Sequence, residues 1–126
     1  MKKADDTAIE IRVTVSEQDL ADTLVTAGES GSGYWARTEL SFVEALTHKA
    51  GVEVFDAENP KVSFGTLTRE KLLKAPARMV ELCRASRGEF KGLQEALGEL
   101  LCGDTLDGPQ ADLVVQVALF GEVKFG

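Results

Sequence analysis

His48 is the only imidazole in the chain, and it stands beside Thr47 with no recognisable catalytic motif around it. Nucleophile–base pairs of the Ser-His or Cys-His kind need an imidazole within reach of a hydroxyl or thiol, so a surface or capping role is the expectation for His48. Cys83 and Cys102 lie far apart and outside any Cys-x-x-Cys, which leaves a zinc site without its ligands. Placed on apolar helix faces, the two thiols read as inert packing groups. Carboxylates are plentiful, but Asp104, Asp107 and Asp112 follow neither an EF-hand nor a metal-triad spacing. Asp107 and Asp112 suit the amino end of a helix instead, by capping and by its dipole. No catalytic residue, metal or cofactor is expected, and a small carboxylate-dependent enzyme is the last-ranked reading.

Binding chemistry is better represented. Tyr34 and Trp35, the sole tyrosine and sole tryptophan, follow Gly31-Ser32-Gly33, with Arg37 close behind. Aromatics on a flexible loop stack nucleobases or anchor a protein partner; the alternative is that Trp35 plugs the core where the first helix ends. The loop is no Walker A, because no Gly-Lys-Ser/Thr follows, and it comes after a helix where a dinucleotide fingerprint would follow a strand. A second candidate is electrostatic. Residues 69–91 hold seven of the fourteen Lys and Arg against three acids, so this window carries +4 and the remainder −11. Lys71, Lys74 and Arg78 have the i, i+3, i+7 spacing of one helical face, and could receive phosphates or an acidic protein patch; the alternative is a solvated face. Gln116, inside an apolar run, needs partners if buried. A twofold interface shared with Phe120 would supply them, as would a backbone bond within the fold.

These residues need elements to hold them. Ile9, Ile11, Val13 and Val15 alternate with polar residues, the pattern of a half-buried strand. Ser16 with Asp19 has capping-box spacing, and Leu20, Leu24 and Ala27 share a helical face that should end at Gly28. Residues 29–33 have too much backbone freedom for regular structure, and residues 39–49 suggest a short helix. Val52 and Val54 face Val62 and Phe64 across a turn-rich Asp56–Pro60, predicting an antiparallel hairpin. From Thr68 the period is helical through Leu72, Met79 and Cys83, with Pro76 kinking the helix or opening a second one. Another helix carries Phe90, Leu93, Leu97, Leu100 and Leu101 and ends near Gly103. Pro109 fits a first turn before Val114–Phe120, a segment apolar on nearly all sides that is a buried helix by preference and a central strand otherwise. Val123–Phe125 suggests a closing strand.

Composition bounds the whole. A chain of 126 residues, 44% hydrophobic and 28% charged, fits one α+β domain, a small antiparallel sheet packed against three or four amphipathic helices. Residues 1–7 are expected to be a flexible N-terminus. A net charge of −7 disfavours non-specific binding to DNA or an anionic membrane. No apolar run approaches the length of a membrane span, so the expectation is a soluble protein of a reducing cytoplasm.

Three segments also carry a likeness: Asp19 to Ala27 (Asp-Leu-Ala-Asp-Thr-Leu-Val-Thr-Ala), Tyr34-Trp35 after a glycine-rich loop, and the tail with Ala111, Asp112, Gln116 and Ala118-Leu119-Phe120-Gly121-Glu122. Together they resemble a family of small tailed-phage and prophage proteins that has no assigned active site. The likeness covers the first third and the last sixteen residues. It implies a phage accessory protein acting inside a bacterium and transfers no residue roles. The resulting expectation is a non-catalytic binding protein that counters bacterial defence, by occluding a host defence complex or by sequestering a small anionic nucleotide signal. Tyr34, Trp35, Arg37, Lys71, Lys74 and Arg78 would make the contacts, and a homo-oligomer is expected. The alternative is an assembly or structural accessory of the phage particle, built through the apolar C-terminal segment.

Overall fold

The computed structural model describes residues 10, 12–86 and 91–126. Helix α1 (Glu17–Thr26) starts where Ser16, in extended conformation, accepts the Asp19 amide on its hydroxyl, satisfying a donor that the first turn leaves orphaned. The helix does not stop at Gly28. It widens into a π turn over Ala27–Gly31, so residues 29–31 are regular structure and not free loop. Close packing is the reason. A Cβ on Gly31 would lie 2.4 Å from the Gly108 carbonyl oxygen, and one on Gly108 would lie 2.5 Å from the Ser30 carbonyl oxygen. Two backbones meet there, and only glycine on both sides allows it.

The sheet has three antiparallel strands in the order β1 (Ala36–Arg37), β2 (Val52–Asp56), β3 (Ser63–Leu67). Val52 pairs with Leu67, and a bulge follows Val54. The hairpin is the predicted one, except that Val62 sits outside the strand and is exposed, its amide bonded to the Asn59 carbonyl in the turn. Between β1 and β2 the chain makes a short 3₁₀ turn, Phe42–Leu46, with a capping box from Ser41 and Glu44.

Helix α2 (Arg69–Ser86) is continuous through Pro76, which leaves one fewer ladder bond without ending the helix. Leu72, Ala75 and Met79 are its core face. Helix α3 (Lys91–Cys102) contributes Leu93, Ala96, Leu97 and Leu100 and closes before Gly103; Phe90 lies outside the described residues. Helix α4 (Gly108–Phe120) is the centre of the molecule, packed by α1, the π turn, α2, α3 and β3. Its three valines favour strand intrinsically, yet the ends decide for helix. Asp107 and Gln110 form a reciprocal capping box, Pro109 occupies the first turn, and Gly121 closes the other end at φ 74°.

Two expected strands are absent among the described residues. Glu10 and residues 12–15 pair with no strand, and only Val15 packs on the core; Ile9 and Ile11, like residues 1–7, lie outside the described residues. Alternation signals a half-buried strip, but a strand also needs a sheet edge to bond. The Val123–Phe125 segment is likewise no strand, because a side chain takes its amides. No helix among the described residues is long and apolar enough to cross a membrane.

Candidate functional site

Asp112, one turn into α4, is 4% exposed and gathers donors from distant parts of the chain. Its Oδ1 accepts from Ser32 Oγ and Trp35 Nε1, each at 2.7 Å, while Oδ2 accepts from Tyr34 Oη at 2.7 Å and Gln116 Nε2 at 2.9 Å. A carboxylate has about four acceptor sites, and here all are taken. The turn after α1 supplies three of the donors, because the Gly31–Gly108 contact seats that turn against the amino end of α4.

Gln116 lies one turn further along, fully buried, and extends the network to the tail. Its Oε1 accepts the amides of Lys124 and Phe125, both at 2.8 Å, and its Nε2 also donates to the Phe125 carbonyl at 3.0 Å. The tail is thereby pinned so that Phe125 stacks on Trp35, with centroids 5.1 Å apart and planes at 13°. Phe64 and Phe120 complete the aromatic group around the indole.

Tyr34 is 55% exposed, but its hydroxyl turns inward. Desolvation of that hydroxyl, followed by its bond to Asp112 and the carboxylate charge, pushes its pKa from 10.0 up to about 12. It stays a donor across the physiological range. The donors and acceptors of the network are spent on one another, and together they lock the turn after α1 and the tail onto α4.

The candidate residues therefore divide. Tyr34, Trp35, Gln116 and Phe120 come together, but the network leaves neither the indole nor the glutamine for a partner. Trp35 is 3% exposed with its Nε1 spent on Asp112, which corrects the expectation of a stacking platform on a flexible loop. Gln116 is satisfied within the chain, which corrects its assignment to an interface. Asp112 was expected to serve the helix end; Asp107 does that, and Asp112 organises the interior. Arg37, exposed at the end of β1, does not join the network. Ser32, Phe64 and Phe125 were not singled out as site residues from sequence, Phe64 and Phe125 being read only as strand positions. The available signal was Asp112 with Gln116, two polar residues one turn apart in an apolar helix.

The cationic candidates stand elsewhere. Lys71, Lys74 and Arg78 line one flank of α2 beside the carboxyl end of α4, over a groove of about 370 Å³ floored by Ala75, Val117 and Ala118. Lys71 Nζ donates to the Thr66 carbonyl, and Arg78 Nε donates to the Gly121 carbonyl, each at 2.7 Å. Arg78 also pairs with Glu81 at 3.3 Å. Lys74 is exposed and makes no hydrogen bond or ion pair with the described residues. Two of the three cations thus also hold backbone. Among the described residues no three His, Cys, Asp or Glu side chains cluster as metal ligands would. Burial raises the Cys83 pKa, which works against thiolate chemistry there. No known protein family, curated protein or solved structure matches the chain.

Proposed function

We propose that this protein is a non-catalytic binding module that docks the cationic flank of α2 against an acidic surface of another protein. In the setting implied by the likeness to tailed-phage and prophage proteins, the partner is a host defence complex that the bound module occludes within the bacterial cytoplasm. The carrying observation is Lys74, a cation with no described partner, set between two anchored cations over an apolar-floored groove. Half of the basic residues gather in this window of an otherwise acidic chain, an arrangement that steers an acidic partner to one face. Sequestration of a nucleotide signal is less well supported, since the indole that would stack a base is covered by Phe125 and bonded to Asp112.

The test compares wild type with Lys74→Glu as immobilised bait in lysate of a bacterial host. One host protein should be retained by wild type, weakened roughly tenfold by the variant, and lost as salt rises. Retention indifferent to both charge and salt would overturn the reading. Candidate nucleotides should leave the melting temperature unchanged, because only a ligand of the folded state raises it.

A further inference from the structure

A second face of α2 is exposed, and its centre is apolar. Leu73 is 50% and Val80 36% exposed, with Ala77, which also edges the groove below Lys74, at the surface between them and exposed Glu70 and Arg84 continuing the row at either end. These five positions advance by three, four, three and four residues, the step that keeps side chains in one line and that helix–helix seams use. The row is also symmetric in charge: Glu70 and Arg84 each stand seven residues from Ala77. Neither makes a hydrogen bond or ion pair with the described residues, whereas Arg69 and Arg78, outside the row, pair with Glu17 and Glu81.

We propose that this row is a homodimer seam, in which two copies of α2 pack antiparallel about a twofold axis at Ala77. That arrangement sets Glu70 against the partner's Arg84 and, by symmetry, repeats the pair at the other end. Leu73 falls beside the partner's Val80, again twice, and the small Ala77 at the axis lets the helices approach to the usual distance of about 8–10 Å. A parallel pair would place Glu70 on the partner's Glu70 and Arg84 on the partner's Arg84, so the charges select the antiparallel form. The occupant is a second copy because the charge order of the row is the complement of its own reverse. From Glu70 to Arg84 the helix rises about 21 Å. A single seam of that length is small for a permanent interface, and the dimer is of the concentration-dependent kind. Lys71 and Arg78, on the α4 side of the helix, stay outside it, while Lys74, one turn from Glu70 and three residues from Ala77, borders it.

Sedimentation equilibrium of the full chain, from low micromolar to near-millimolar concentration, tests this. The mass should climb from 13.6 kDa towards twice that value. Glu70→Arg or Arg84→Glu alone should raise the dissociation constant about tenfold by setting like charges together, and the double variant should return to within about twofold of wild type. Leu73→Glu should leave only monomer, with an unchanged circular dichroism spectrum, since Leu73 is exposed in the isolated fold. Monomer at every concentration would overturn the proposal, as would a double variant no tighter than either single one or a dimer that survives Leu73→Glu.

Discussion

Asp112 is a buried carboxyl group held by hydrogen bonds from neutral donors. Its four donors are a serine, a tyrosine, a tryptophan and a glutamine, with no Lys or Arg among them. Removing the acceptor would strand donors that burial keeps from water, and a stranded polar group costs far more than a hydrogen bond contributes net. Asp112→Ala should therefore destabilise the fold by about 2–4 kcal/mol in urea titration, and Asp112→Asn should restore only part of the loss, because its carbonyl still accepts two donors while its amide faces the other two. Tyr34 gives a sharper reading. A phenol whose pKa lies higher in the folded than in the unfolded chain contributes stability present below the ordinary 10.0 and lost as pH rises towards about 12. Stability should fall over that window, and Tyr34→Phe should flatten the fall. As the only tyrosine, its phenolate absorbance reports the site directly.

At the scale of elements, one glycine of the turn after α1, Gly31, is set by packing. Gly31→Ala would push a methyl into the Gly108 carbonyl, and a clash with backbone has no flexible side chain to absorb it; a loss of about 2–4 kcal/mol is expected from the thermal or urea midpoint. Gln116→Leu should free the tail, detected as protease cleavage near residues 122–126 under conditions where wild type resists. Much of this architecture was legible locally. Ser16 announces α1, Asp107 with Pro109 and Gln110 announces α4, and Asp56 and Asn59 mark the hairpin turn through bonds to their own neighbours. The two strands that did not form share one cause: their outcome depends on partners that alternation does not encode. Alternation through Val13 and Val15, which among the described residues pair with no strand, carries no information about whether a sheet edge is available, and Val123–Phe125 lost its strand to Gln116, eight and nine residues before the amides it binds. The Asp112 network joins residues 77 to 80 positions apart, and no local pattern encodes that meeting.

Across the molecule, one core cluster runs from Leu24 through the sheet to α4 without a break between elements. Unfolding should therefore be a single cooperative event. Trp35 fluorescence, which senses the aromatic group, and far-ultraviolet circular dichroism, which senses the helices, should give coincident denaturant transitions; separated midpoints would show that the indole region melts on its own. The division of labour follows the same geometry. The Asp112 network belongs to the interior, leaving α2 to present a cationic flank towards α4 and an apolar row with charged ends on the adjoining face, the two meeting at Ala77. Charge substitutions at Lys74, Glu70 and Arg84 act on exposed positions, so they test contacts without testing the fold.

The grip of Gln116 on the tail is indifferent to sequence, since it touches only main-chain groups of residues 124 and 125. Lys124 adds a cation over the Phe120 ring, 5.0 Å from its centroid, a minor ornament of about 0.5–1 kcal/mol at such an exposed place. Position 124 is accordingly a fixed main-chain mount with an interchangeable head, where a spectroscopic label can be placed beside the Phe120 ring.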